Sequence, residues 1–209
     1  MKRSNYIVLL LTMFAFIAAL GITSESISQQ KRGGTRKFPA DNQINRGKYL
    51  VTIGGCDDCH SPKIFTPMGP MPDTTRLLSG HPANDSIPAV PAGLIGPTPN
   101  QWGAVTSNDF TTWVGPWGTS FSQNLTPDVE TGIGSWTEDM FMAALRKGKH
   151  MGVGRDILPP MPWMMYGQMT DEDLKSVFAY LKSLKPISNA VPDPISPTGE
   201  KIPTPKVLK

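Results

Sequence analysis

The sequence predicts a mainly α domain in which a long irregular segment, rich in proline, glycine and aromatic residues, separates a Cys-x-x-Cys-His run from a middle helix. Three observations carry this expectation. Apolar residues recur at helical spacing near residues 43–53, 136–147 and 171–184. Each of these stretches has a capping residue in front or a glycine or proline behind. Finally, 21 prolines and 20 glycines among 209 residues keep long regular elements out of most of the remainder. With 39% hydrophobic and 18% charged residues, the chain suits one globular domain with generous loops. The formal charge of +3 is mild, and no basic patch of the kind nucleic acid requires is visible.

At the N-terminus, Lys2 and Arg3 precede an apolar run from Tyr6 to Ile22, after which Thr23-Ser24-Glu25-Ser26 turns polar. Residues 1–23 therefore read as an export element, either a signal peptide or a membrane anchor, with residues 6–22 nearly long enough to span a bilayer. Residues 24–40 have no apolar period and form a polar linker. The folded domain is expected over 41–187. Its first helix runs from about Gln43 to Ile53, capped by Asp41 or Asn42, with Gly47 suited to a close crossing by another helix.

Gly54-Gly55 ends that helix and delivers the chain into Cys56-Asp57-Asp58-Cys59-His60, which holds the only two cysteines of the sequence. A CxxCH run is the attachment signature of a c-type haem: two thiols bond covalently to the haem vinyl groups, and the adjacent imidazole is placed to ligate iron. Two other readings exist for these residue types. A thioredoxin-like dithiol wants a βαβ context that is missing here. A zinc site could use Cys56, Cys59, His60 and one of His81 or His150, although the histidines lack zinc-finger spacing.

Residues 61–122 are punctuated by proline and glycine yet carry Trp102, Phe110, Trp113, Trp117 and Phe121, too much aromatic surface for a solvated tail. They are expected to form an ordered loop, with short hairpins, over one edge of the cofactor. His81 in this segment is a candidate second ligand or propionate contact, with a structural role the commoner fate of such a residue. Ser135 or Thr137 caps the middle helix, which continues from Trp136 to Lys147 and stops at Gly148. Next comes Pro159-Pro160-Met161-Pro162-Trp163, where prolines on both sides of Met161 forbid helix and hold the thioether on a stiff loop, as a metal ligand requires. The last helix is capped by Thr170, led by Asp171, Glu172 and Asp173, and striped by Leu174, Val177, Phe178, Leu181 and Leu184. Residues 188–209 form a proline-rich tail, expected to be extended on the surface or disordered.

Several separated blocks, in order, resemble one family: Arg46-Gly47-Lys48-Tyr49-Leu50, the Cys56 to His60 run, Asn124-Leu125-Thr126-Pro127-Asp128, Thr131 to Thr137, the proline-flanked Met161, and Met169 to Leu184. The chain is similar to the c-type cytochromes found as electron-carrying subunits and domains with bacterial membrane alcohol, aldehyde and gluconate dehydrogenases. The resemblance implies a class I cytochrome c fold in which the first and last helices cross and a third lines the pocket. It also implies one covalently attached haem c, with Cys56 and Cys59 as thioether anchors, His60 as proximal iron ligand and Met161 as distal ligand. A carbonyl between Phe121 and Pro127 would accept the His60 Nδ1 proton, and Trp136, Phe141, Leu145 and Trp163 would wall the pocket. The implied function is outer-sphere electron transfer with no catalytic residue of its own, in the periplasm or on the periplasmic face of the inner membrane. Its redox partners would be a dehydrogenase, an oxidase or another cytochrome. The alternative is a haem-based sensor or ligand-binding protein whose axial methionine is displaceable.

Overall fold

The computed structural model describes residues 40–205. The expected export element, the expected linker up to residue 39 and residues 206–209 lie outside the described part. Its helices are α1 (Ala40–Ile53), α2 (Cys56–His60), α3 (Glu138–Lys147), α4 (Trp163–Tyr166) and α5 (Asp171–Ser183), with a 3-10 turn at His150–Gly152. Helix α1 starts at Ala40, so Asp41 lies within its first turn and does not cap it. The middle helix is shorter than the expected 136–147, because Thr137 is its N-cap: Thr137 Oγ1 accepts from Met140 N at 3.2 Å. Gly148 closes it in the left-handed conformation, with φ 65°.

Helices α1 and α5 cross as the glycine spacing suggests. A Cβ on Gly47 would lie 1.9 Å from the Ser176 carbonyl oxygen and 2.7 Å from Tyr180 Cβ, so only glycine permits this approach. Around the crossing, Leu50 and Val51 of α1 meet Leu174, Val177, Phe178 and Leu181 of α5, and α3 adds Phe141 and Leu145. Phe141 and Phe178 face each other with ring centroids 5.3 Å apart. At the ends, Thr170 Oγ1 caps α5 by accepting from Asp173 N, and Arg46 reaches Asp173 at 2.9 Å.

The expectation of a mainly α chain needs correction. The segment between α2 and α3 holds five short strands: β1 (Lys63–Thr66), β2 (Gly69–Pro72), β3 (Val105–Thr106), β4 (Thr112–Gly115) and β5 (Gly118–Phe121). They form two antiparallel sheets, a β1–β2 hairpin pairing Lys63 with Pro72, and a β3–β4–β5 sheet pairing Thr112 with Phe121. The architecture is therefore mixed. Strands this short carry almost no periodicity, which is why composition alone suggests loop.

The tail is extended, but it is also built into the domain. Ile195 and Thr119 exchange backbone hydrogen bonds of 2.7 and 2.9 Å across β5, and Pro194 is fully buried. Asn189 fastens the start of the tail by donating from Nδ2 to the carbonyls of Ser79 and His81 and accepting from Ala83 N.

Candidate functional site

Helix α2 has five residues, too few to persist alone, and its neighbours hold it at both ends. Ahead of it, the Tyr166 hydroxyl donates to the Gly54 carbonyl at 2.5 Å. Behind it, Lys63 Nζ donates to the carbonyls of Asp57, Asp58 and Ser61 at 3.0, 3.0 and 2.5 Å, completing the last helical turn. Ser61 Oγ donates to Asp57 and accepts from the buried Leu78 N–H. The cysteines that this helix carries, Cys56 and Cys59, are not joined to each other in a disulfide. Burial and the Asp57 carboxylate push the Cys56 thiol up to about 11, and burial also raises Cys59. That is the opposite of the lowered pKa of a dithiol redox pair.

His60 is fixed twice. Its Nδ1 meets the Gln123 carbonyl at 2.7 Å, and its own carbonyl accepts from Gly80 N at 2.7 Å. The Gln123 bond answers the sequence expectation of a carbonyl between Phe121 and Pro127, and it sets the tautomer: Nδ1 carries the proton and Nε2 keeps its lone pair. Burial lowers the His60 pKa, with the Gln123 carbonyl opposing, so the ring is held neutral, as metal ligation demands.

Cys56, Cys59, His60 and Met161 all line one cavity of about 460 Å³. Its walls are mostly apolar: Leu50, Phe121, Leu125, Ile133, Trp136, Phe141, Leu145 and Leu158. This volume suits a large flat cofactor better than a metal ion. Met161 reaches the wall from a loop stiffened by Pro160 and Pro162 and pinned by Ser120 Oγ, which donates to the Pro159 carbonyl at 2.6 Å. The donor set also fits a haem: two thiols and an imidazole on one helix, a thioether from a distant segment, and an apolar lining between them. Among the described residues no three His, Cys, Asp or Glu side chains converge as a metal cluster, so the zinc arrangement has no counterpart here.

Other expectations divide. Trp136, Phe141 and Leu145 line the cavity as expected, but Trp163 lies outside the lining and packs on Gly148. Trp113 and Phe121 of the aromatic segment line it, whereas Trp102 is 65% exposed. His81 is not in the lining. It is 3% exposed, with Nδ1 at 2.8 and 3.0 Å from the hydroxyls of Thr111 and Thr112 and its ring against Phe121, a structural placement. Among the lining residues that the sequence reading did not place at the pocket are Arg155, Tyr166 and Pro194, and His150, which it named only as a possible zinc ligand. Only Tyr166, as an aromatic three residues past Trp163, offered any signal.

No protein-family model matches the chain. It is 31% identical over 169 residues to the gluconate 2-dehydrogenase cytochrome c subunit of Pantoea cypripedii, covering 77% of this chain and 29% of that protein. It is 36% identical over 180 residues to the cytochrome c subunit of the quinone alcohol dehydrogenase of Gluconobacter oxydans, covering 84% and 28%. A shorter stretch of 78 residues is 40% identical to the fructose dehydrogenase cytochrome subunit of Gluconobacter japonicus, covering 37% and 16%. The chain thus spans less than a third of the length of these relatives. Joined to the CxxCH run and the cavity behind it, these likenesses identify the chain as a cytochrome c resembling the cytochrome subunits of bacterial gluconate, alcohol and fructose dehydrogenases.

Proposed function

We propose that the chain is a monohaem c-type cytochrome of class I fold that relays single electrons by outer-sphere transfer, in the periplasm or on the periplasmic face of the inner membrane. The observation that carries this reading is the convergence of Cys56, Cys59, His60 and Met161 on one apolar cavity. A haem bound there supplies reversible one-electron exchange at its iron. Cys56 and Cys59 would tether it, and His60 Nε2 and the Met161 thioether would ligate its iron. The Gln123 carbonyl orients the His60 ring, while Trp136, Phe141 and Leu145 keep water from the ligands. If His60 and Met161 both ligate the iron, neither ligand site is left for a substrate, which favours a carrier over an enzyme. One CxxCH run in the sequence supports one haem.

The dehydrogenase subunits among its relatives support a dehydrogenase or quinol oxidoreductase as electron donor, with an oxidase or another cytochrome as acceptor. The apolar run at residues 6–22 behind Lys2 and Arg3 supports export. No helix among the described residues is long and apolar enough to cross a membrane.

The test is the visible spectrum of the exported protein beside its Met161→Ala variant. Haem should resist acid extraction from the wild type. The weak long-wavelength band from methionine sulfur to ferric iron should be present in the wild type and absent from the variant. Persistence of the band would remove Met161 from the ligand set, and zinc without iron on metal analysis would overturn the whole reading.

A further inference from the structure

Arg155 is a cation on the cavity wall with no anion to match it. Its Nε donates to Thr204 Oγ1 and its Nη1 to the Asp156 carbonyl, each at 3.0 Å. No carboxylate of the described residues lies within ion-pair distance of the guanidinium. Asp193 acts on it only from farther away, and its Oδ1 is occupied by Thr204 N at 3.0 Å. The nearby Asp156 is already paired with Lys149 at 2.5 Å. Nη2 is left without a partner among the described residues, on a half-buried side chain that lines the cavity. A charge withdrawn from water in this way is costly unless something negative meets it.

His150 stands beside it on the same wall. Its backbone N–H donates to the Arg155 carbonyl at 2.8 Å, and Ile157 N donates to the Gly148 carbonyl at 2.8 Å, so the loop presents the two side chains as a unit. The His150 ring meets Trp136 edge to face, with centroids 4.9 Å apart. Its Nδ1 is sealed from solvent without a partner, which leaves Nε2 as the nitrogen able to meet the cavity contents. Arg155 and His150 thus form a cationic, donor-bearing pole in an otherwise apolar wall.

We infer that Arg155 Nη2 and His150 Nε2 hold a carboxylate of the cofactor, a propionate of the haem. The inference rests on the haem reading above. A haem tethered through its vinyl carbons carries both propionates on the opposite edge, and each needs donors or water. Pairing a propionate with Arg155 cancels negative charge near the iron and so favours the ferrous state.

Potentiometric titration of the haem-loaded protein tests this. In Arg155→Leu, the ferrous-to-ferric ratio at fixed solution potential should fall about tenfold, equivalent to 59 mV for one electron. Arg155→Lys should recover most of that loss, and His150→Phe, which keeps a ring against Trp136, should show a smaller fall of about threefold. Thr204→Val removes the Nε partner but leaves Nη2 free, so it should leave the ratio unchanged; an equal shift there would assign the effect to the tail and overturn the inference. Should Arg155→Leu fail to accumulate, His150→Phe decides alone. Covalent haem with an unshifted potential in both variants overturns this inference and spares the haem reading, whereas a wild type without covalent haem overturns both.

Discussion

Gly47→Ala measures how closely the α1–α5 crossing is drawn. The added Cβ would lie 1.9 Å from the Ser176 carbonyl oxygen, 2.6 Å from its carbon and 2.7 Å from Tyr180 Cβ. Ordinary contact needs about 3.5 Å, so the surfaces must part by about 1.5 Å. The obstruction is backbone in the middle of α5, which cannot swing aside like a flexible side chain. The helices must separate, loosening the contacts of Leu50 and Val51 with Leu174, Val177 and Leu181. Overpacking of this kind costs about 1–3 kcal/mol, and lost core contacts add to it. Alanine returns about 1 kcal/mol through its better helix propensity. The net expectation is a loss of about 2 kcal/mol, or about 4–8 °C in Tm for a domain of this size. Guanidinium denaturation followed by far-UV circular dichroism reads it directly. Gly103→Ala is the control: nothing lies within 4 Å of its added Cβ, so it should be neutral or slightly stabilising. If Gly47→Ala proves as stable as the wild type, the crossing is not the tight element described here.

Three further outcomes follow from other parts of the domain. Tyr166→Phe deletes the hydroxyl that holds the Gly54 carbonyl and should cost about 1 kcal/mol in denaturation, with weaker methionine-to-iron absorption at elevated temperature; an unchanged melting curve of that band would remove Tyr166 as a tie between the two ligand segments. Burial holds the His81 pKa below its ordinary 6.5, with Asp109 and Asp85 opposing. Between those two pKa values the unfolded chain binds more protons, so the His81 contribution is complete above about pH 6.5 and is lost as pH falls; His81→Gln should flatten the decline in denaturation midpoint below that pH, and an identical slope in wild type and variant would contradict the placement. Gly118 has φ 96°, and a Cβ there would lie 2.0 Å from the Ile195 carbonyl oxygen, so Gly118→Ala should cost about 1–3 kcal/mol and expose the tail to limited proteolysis beyond Asn189; unaltered protection would show that the tail is not held against β5.

Much of the helical frame was legible in the sequence because its signals are local. Thr137 and Thr170 cap the helices they precede, and Gly148 ends α3 with the positive φ that glycine tolerates. Gly47 marked the crossing because a glycine inside an otherwise regular helix needs a neighbour to explain it. The proposed ligand segments were equally local: one short run from Cys56 to His60 and one proline-bracketed methionine. Long-range features were illegible. Pro194 enters the wall only through the pairing of Ile195 with Thr119, and a proline-rich stretch reads the same whether solvated or buried. Arg155 looks like any surface arginine until its surroundings leave no carboxylate of the described residues within ion-pair distance. Trp163 was placed on the wrong side because aromatic character signals burial without saying which cavity it faces.

The two proposed axial ligands are held by different means, and this bears on which of them would yield first. His60 is fixed by directional bonds: Gln123 to its ring, Gly80 to its carbonyl, and Lys63 across the three carbonyls that end α2. The adjacent Cys59 would add a covalent tether to the same cofactor. Met161 has no hydrogen-bonding counterpart, since a thioether is only a weak acceptor, and its position rests on Pro160, Pro162, the Ser120 bond to Pro159 and packing against the core. Packing stabilises a position without fixing a direction as sharply as a short hydrogen bond does. The His60 side is therefore pre-set by a local network, whereas Met161 depends on a segment tied, among the described residues, to the turn ahead of α2 by Tyr166 on Gly54. Tyr166→Phe consequently discriminates between carrier and sensor. In a carrier, both oxidation states of the variant keep the methionine bond at room temperature. In a protein built to release its methionine, loss of the tie opens the distal side to added carbon monoxide within the ferrous state.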